Sequence, residues 1–337
     1  MKPAPRLRIA AFVAVLAIIA GSSLNSWAQS CQTSGELDDA TRSAITTAAQ
    51  RYFDMAAKGD AASLKQNAIA SLASDFSGIE GAVKADQPDL AGGQATVKSL
   101  FLLDGDGPAP NPHAEFYCGV FGKNGQTSNS AAFYLDNLPP GKYSVVILDA
   151  TSSKARTNFC LILQQAGTDW KLAGLYVKAS QIAGHDSDWY LARAHEYRTK
   201  GQPHNAYLFC LQARGLIAPL PFMSTLATDK LFDDCQNLET PDLPASGKTA
   251  DLVAGTTTYK LSAVFPQMIG NDYNLVVRYQ AADVSNTTVA YQANVAVIKA
   301  IVAKFPEVRE PFTAVVARAV DANGHDYGTL LAMKDIK

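Results

Sequence analysis

Two short apolar runs joined by a turn constrain this chain most strongly. Residues 157–164 and 170–178 are rich in aliphatic, β-branched and aromatic side chains, and Gly167 lies between them. Runs of this length on either side of a Gly-containing turn are typical of a β-hairpin. The segments before the hairpin predict the rest of one sheet, whereas those after it have helical periodicity. The hairpin therefore predicts where a sheet-forming part of the chain gives way to a helical part.

The first 28 residues have the pattern of an export signal. Three basic residues precede an apolar run over residues 9–20, and small residues at positions 26 and 28 favour cleavage before Gln29. The run is shorter than the about 20 residues of a membrane-spanning helix. The sequence predicts a signal peptide over residues 1–28 and a periplasmic or extracellular chain with no transmembrane segment after cleavage. An uncleaved anchor and a lipoprotein acylated at Cys31 are the alternatives.

Charge and composition narrow the class of partner. The formal net charge of −2 becomes −5 once the basic leader is removed. Mild acidity argues against nucleic acid, whose binding needs basic patches. Hydrophobic residues make up 47% of the chain, which is enough to build a full core.

Five cysteines follow the leader, and an exported chain allows them to form disulfides. We expect Cys210 to pair with Cys235 and Cys118 with Cys160, each pair inside one predicted domain, with Cys31 left over. The alternative is that all five are small buried apolar side chains. No C-x-x-C motif is present, so neither a thioredoxin-like site nor a zinc site is indicated.

The N-terminal half predicts helices followed by strands. Apolar residues three or four apart predict helices over residues 36–58 and 61–73, and Gly and Asp residues predict a connector over 77–93. Further strands are predicted over residues 95–103, 114–121, 131–135 and 143–148. Two helices and an antiparallel sheet make an α+β layout over residues 29–185.

Two motifs of this half resemble a known fold. The segment 51–64, RYFDMAAKGDAASL, resembles the first helix pair of the nuclear-transport-factor-like (SnoaL-like, cystatin-like) fold, and 168–175, TDWKLAGL, resembles its last strand. The resemblance covers residues 36–180 and implies a helix-backed curved sheet around an apolar pocket. The aromatic side chains that would line this pocket are Tyr117, Phe133, Phe159, Trp170 and Tyr176. The alternative is that these side chains fill the interior. That fold hosts enzymes, carriers and structural modules, so the resemblance does not select a function.

A helical segment is predicted over residues 186–240, with helices at 189–200, 204–215 and 224–235. Over residues 186–220 it resembles one tetratricopeptide repeat, and the matching residues are Tyr190, Ala194, Tyr197, Gly201, Ala206, Ala213 and Pro219. The match departs from the repeat at Arg193 and Cys210. A lone repeat cannot bury its apolar face. The hairpin must therefore lean on a neighbouring domain, which we favour, on a second chain, or on a partner that would contact Tyr190 and Tyr197.

The last part of the chain predicts a small domain after a linker. Residues 241–255 are rich in Pro, Gly and Thr and predict the linker. Residues 256–337 predict a ββαββ domain, with strands at 259–265, 275–279, 312–320 and 327–333 and a helix at 286–304. No known family is recognised in this part.

Motifs for chemistry are incomplete. The triplet Gly247-Lys248-Thr249 lacks the first Gly of a phosphate-binding loop, and Asp104 and Asp106 begin a calcium loop whose fifth and sixth positions do not fit. His195-Glu196 begins a zinc-protease motif whose second His is missing. We therefore predict no catalytic residue, no metal site and no cofactor, and we lean against enzymatic activity.

Together these patterns predict an exported, non-catalytic binding or scaffolding protein of the cell envelope that contacts a protein partner. The first alternative is small-molecule binding or simple acid–base catalysis in the N-terminal apolar pocket. The second is a lipid-anchored structural protein of the envelope.

Overall fold

The computed structural model describes residues 29–121, 125–245 and 247–337, and the predicted signal peptide lies outside them. These residues form a mixed α+β protein with mostly antiparallel strands, as the sequence predicts. Within these ranges no helix is long and apolar enough to cross a bilayer.

The N-terminal part contains a five-stranded antiparallel sheet and a separate hairpin. Its strands are β1 Ser30–Thr33, β2 Gln94–Asp104, β3 Asn111–Cys118, β4 Ala131–Leu138, β5 Lys142–Thr151, β6 Arg156–Ala166 and β7 Asp169–Ala179. The five-stranded sheet has the order β1-β2-β5-β6-β7. The strands predicted as one sheet thus fall into two, because β3 and β4 pair with each other and not with this sheet.

The β6–β7 hairpin forms as predicted, with Ala166 opposite Asp169 across a two-residue turn. Gly167 takes a φ of +64°, which favours glycine there. Successive side chains of β6 point to opposite faces. Phe159 belongs to the core beneath the helices, and Cys160 belongs to the core beneath the second sheet. Both faces of the five-stranded sheet are therefore covered.

Four helices cover one face of this sheet, and they are α1 Asp39–Ala57, α2 Ala61–Gln66, α3 Ala70–Ser74 and α4 Ser77–Leu90. The Asp38 side chain caps α1 by accepting a hydrogen bond from the Thr41 N–H at 2.8 Å. The Tyr52 hydroxyl donates to the Trp170 carbonyl at 3.0 Å, which ties α1 to β7. The helix α4 corrects the predicted connector over residues 77–93. Its buried positions Val83 and Leu90 are seven residues apart, which is too sparse for a periodic signal.

The other face is covered by a three-stranded sheet of order β3-β4-β8, in which β8 is Met223–Ser224. Phe133 pairs with Met223, so the segment after the helical hairpin returns to the N-terminal part. The side chains of Phe101, Phe116 and Phe133 fill the space between the two sheets.

The helical segment contains α5 Ser187–Thr199, α6 Pro203–Ile217 and α7 Leu226–Gln236, close to the predicted bounds. The C-terminal sheet contains β9 Ala250–Ala254, β10 Thr257–Ile269, β11 Asp272–Gln280, β12 Ala314–Val320 and β13 Asp326–Ala332. These strands have the order β13-β12-β11-β10-β9, and the helix that packs on them is α8 Thr287–Lys304. The strand β9 corrects the prediction that residues 241–255 are only a linker, and it adds a strand to the predicted ββαββ pattern.

The helical hairpin and the C-terminal sheet share one core. The Phe209 ring lies 5.7 Å from the Tyr190 ring and 5.7 Å from the Tyr273 ring, centroid to centroid. The prediction that the hairpin leans on a neighbouring domain is confirmed. Tyr190 and Tyr197 are only 1% and 3% exposed. The prediction that they form a partner surface is therefore wrong, because this core buries them.

Two disulfides link the chain, and one differs from the prediction. Cys210 pairs with Cys235, as predicted. Cys118 pairs with Cys31 and not with Cys160, because the predicted polar arm forms β1 beside β2. This places the Cys31 and Cys118 Cα atoms 4.8 Å apart. Cys160 is the free cysteine, and it is fully buried.

The Cys31–Cys118 disulfide leaves Cys160 as the free thiol, and its burial predicts how it reacts. Burial raises the pKa of the Cys160 thiol to about 12, so the thiol stays protonated at about pH 8. We expect no reaction with Ellman's reagent in the native protein and one thiol per chain in denaturant. If Cys118 were paired with Cys160 instead, the half-buried Cys31 would react in the native protein.

An ion pair between Lys200 of the helical segment and Glu310 of the C-terminal part should make the stability of the protein depend on pH. Hydrogen bonds from Lys200 Nζ and Gln202 Nε2, both 2.6 Å, hold the pKa of the Glu310 carboxyl below its usual range. A carboxyl with a lowered folded-state pKa stabilises the protein above its unfolded-state pKa, and this stability is lost as the pH falls through the folded-state value. Because the Glu310 side chain is 40% exposed, we expect at most about 0.5 kcal/mol.

Urea unfolding of Glu310→Gln from about pH 6 to about pH 3 checks this contribution. The variant should be slightly less stable than the parent at pH 6, and the gap should close at low pH. A gap of the same size across the whole range would show that the carboxylate charge contributes nothing.

Candidate functional site

The five aromatic residues predicted to line a pocket do not lie together. Phe159 and Trp170 belong to the core beneath α1–α4, and Phe133 belongs to the core on the other face of the sheet. Tyr117 and Tyr176 are each 40% exposed. The predicted single pocket is therefore wrong: the buried members fill the two cores, as the alternative interpretation held.

A groove of about 950 Å³ lies between the helical segment and the C-terminal sheet. One wall comes from α6 and α7, the second from the middle of β10, and the third from the linker at Pro244 and Ala245. Met223 and Ser224 of the N-terminal part close one end. The helical segment, β8, the linker and the C-terminal sheet thus meet around this groove, and sequence reasoning assigned no function to it.

The β10 wall has an open strand edge. The strand β9 pairs with β10 only from Thr257 to Leu261, so in the described structure Ser262–Ile269 have a strand neighbour, β11, on one side only. Ser262 is an extra residue at a β-bulge between Leu261 and Ala263. Bulges often end pairing next to functional sites. The residues from Ser262 to Phe265 line the groove, so its floor runs beside an unpaired backbone edge.

Backbone alternation fixes which groups point to the open side. Ile269 and Asp272 flank a two-residue turn and pair directly, so Ile269, Gln267 and Phe265 direct their N–H and C=O groups toward β11. Val264 and Met268 direct theirs to the open side. Pro266 also faces that side and has no N–H, which limits continuous pairing to the stretch around Val264.

The helical wall offers an exposed aromatic ring. Phe232 of α7 is 42% exposed, and the Arg214 guanidinium of α6 lies 4.4 Å from the centre of its ring. Asp229 accepts a hydrogen bond from the Ser224 hydroxyl at 2.7 Å. The groove thus combines an apolar surface with charges of both signs, which is the composition of a peptide-binding groove more than of a site for one charged ligand.

A cluster of charged side chains holds the linker wall in place. His204, near the start of α6, lies between two carboxylates: Nδ1 is 2.5 Å from Glu307 and Nε2 is 3.0 Å from Asp242. Each ring nitrogen of His204 thus has a carboxylate within hydrogen-bond distance. The ring also packs 3.9 Å from the Phe305 ring, centroid to centroid. Because Asp242 precedes Pro244 by two residues, this cluster fixes the linker against α6.

Residues with near-matches to catalytic motifs have other contacts. Asp104 accepts from the Asp106 backbone N–H at 3.2 Å, and its carboxylate lies 3.6 Å from Lys142 Nζ. Within the described ranges, no group of three or more His, Cys, Asp or Glu side chains is arranged to hold a metal ion.

The functional residues proposed for the groove had no strong signal in the sequence. Phe232 is one apolar residue of a predicted helix, and Ser262 lies inside a regular alternation that hides the bulge. His204 has its two carboxylate partners 38 and 103 residues away in the chain. Comparison with protein-family models, curated proteins and solved structures finds no match for this chain.

Proposed function

We propose that this chain is an exported, non-catalytic binding protein whose groove holds an extended segment of a protein partner. The observation that carries the proposal is the unpaired edge of β10, which borders a groove that the exposed ring of Phe232 also lines. An extended peptide can add to such an edge through main-chain hydrogen bonds, while pockets beside it select alternate side chains.

The groove favours a partner segment that carries both apolar and polar side chains. The backbone of Val264 supplies one donor and one acceptor to a paired strand, and the surface around Phe232 suits an apolar side chain. Arg214 and Asp229 on the helical wall suit polar neighbours of either charge. The charged groups already contact the chain itself, which favours a binding surface over a reaction centre.

Export is part of the same proposal. The two disulfides fit an oxidising compartment, and the pattern of residues 1–28 fits a leader. The Cys31 sulfur is bonded to Cys118, so it is not a thiol open to acylation. The small-molecule alternative is not supported, because the aromatic residues expected to line its pocket do not lie together. Some are buried in two filled cores, and the others are exposed.

A peptide selected on the full chain from a random library tests the proposal. Phe232→Ala should weaken its binding by about tenfold, because the substitution removes a central aromatic contact. Leu226→Ala is the matched control, since Leu226 is equally exposed on the same helix but does not line the groove. Equal effects of the two substitutions on affinity would contradict the proposed site.

A further inference from the structure

The outer face of the β3–β4 hairpin carries exposed aromatic rings that no part of the described chain covers. Phe121 is 84% exposed, Tyr134 is 47% exposed and Tyr117 is 40% exposed. Tyr117 contacts both of the other rings, at centroid distances of 5.7 Å to Phe121 and 6.4 Å to Tyr134. A contiguous exposed aromatic patch of this kind marks an interaction site more often than a single exposed ring does.

The same face is acidic. Glu115 pairs directly across the hairpin with Tyr134, and His113 pairs with Asp136, so all four side chains lie on one side of the sheet. The Tyr117 hydroxyl donates to the Glu115 carboxylate at 2.5 Å, and the His113 ring lies 2.9 Å from Asp136. This hydrogen bond holds the Glu115 carboxylate at the edge of the Tyr117 ring.

Aromatic faces beside a carboxylate attract a cation. The negative face of each ring and the charge of Glu115 act in the same direction on a positive group. The hydrogen bond to Glu115 raises the pKa of Tyr117 to about 12, so the phenol stays protonated and the hydrogen bond persists at neutral pH. Anionic ligands are repelled by Glu115 and Asp136.

The ring geometry narrows the type of cation. The Tyr117 plane makes angles of 60° with Phe121 and 86° with Tyr134, so the three rings do not form a flat platform for a sugar chain. A guanidinium group stacks on one ring and donates hydrogen bonds to a carboxylate in the same plane. A quaternary ammonium has no N–H to donate to Glu115.

We propose that the outer face of the β3–β4 hairpin, at Tyr117, Tyr134 and Glu115, binds an arginine side chain of a basic segment on a protein partner. None of the residues of this site lines the groove, so the site stands whether or not the groove binds a peptide.

Nuclear magnetic resonance of the full chain with ¹³C-labelled tyrosine rings tests this site. The probe is a blocked Gly-Arg-Gly peptide, and single Tyr→Phe variants assign the signals. We expect saturable shifts of the Tyr117 and Tyr134 signals with a dissociation constant of about 1–10 mM. A Gly-Lys-Gly peptide should bind about threefold or more weakly, since it cannot stack as a plane.

Two variants and one control make the result specific. Tyr134→Ala and Glu115→Gln should each weaken arginine binding by about fivefold or more. Glu115→Gln keeps the shape of the side chain and removes only its negative charge. Tyr291→Ala, which removes an equally exposed tyrosine on α8, should change nothing. The proposal is overturned if the arginine peptide causes no saturable shift, if Tyr291→Ala has the same effect, or if choline binds as tightly as the arginine peptide.

Discussion

Replacing Cys31 and Cys118 together by alanine is expected to lower the free energy of unfolding by about 4–5 kcal/mol. The disulfide closes a loop with a sequence separation of 87 residues, and a loop of this length restricts the unfolded chain strongly. The bond also fastens β1, a strand of only four residues, against the sheet. Loss of the bond should therefore destabilise the whole N-terminal part.

Two comparisons isolate the effect of this disulfide. Replacing Cys210 and Cys235 should cost less, about 3 kcal/mol, because their separation is only 25 residues. Cys160→Ala removes a buried free thiol and should cost about 1 kcal/mol. Urea unfolding followed by far-ultraviolet circular dichroism, which reports on all parts of the chain, gives all three values. The account fails if the Cys31–Cys118 pair costs no more than Cys160→Ala.

The second large effect is expected at His204. Its alanine variant leaves Glu307, whose side chain is 16% exposed, and Asp242, whose side chain is 37% exposed, without the imidazole ring that contacts both. Removing one partner of a buried ion pair costs about 3–5 kcal/mol. Because Asp242 is partly exposed, we expect a loss of about 2 kcal/mol in the free energy of unfolding.

His325→Ala is the matched control for His204→Ala. The His325 ring lies 3.1 Å from one carboxylate, Asp321, and its side chain is 73% exposed. The Asp321 side chain is only 9% exposed, but it also accepts hydrogen bonds from the backbone N–H groups of Asn323 and His325. Loss of the exposed His325 ring should therefore cost only about 0–1 kcal/mol. Adding Glu307→Gln to His204→Ala should restore part of the lost stability, since it removes an unpaired charge. Equal losses for His204→Ala and His325→Ala in urea unfolding would show that the cluster does not hold the linker.

The regular elements were the predictable part of this fold. The helices α1 and α8 follow from periodicity, because each carries a stripe of buried side chains. The β6–β7 hairpin follows from two apolar runs on either side of a Gly-containing turn. The short pieces were not predictable in this way. The strand β1 has four residues and β9 has five, and each exists because a neighbouring strand pairs with it.

The dependence on pairing between distant strands also explains why the disulfide and the aromatic pocket were predicted wrongly. The partner of Cys118 depended on β1, so the disulfide could not be assigned without that strand. Phe133 and Phe159 were grouped because both lie on predicted strands, but which face each one points to depends on how the strands divide between two sheets. The groove joins segments from four parts of the chain, and no local pattern records such a meeting.

Amide hydrogen exchange of the full chain, with and without the selected peptide, tests the proposed function most directly. If the peptide adds to the open edge of β10, exchange of the Val264 N–H slows by about tenfold or more, while the Phe265 N–H, which already faces β11, changes little. Protection confined to residues outside the groove, or no change at Val264 with the peptide bound, would contradict the account.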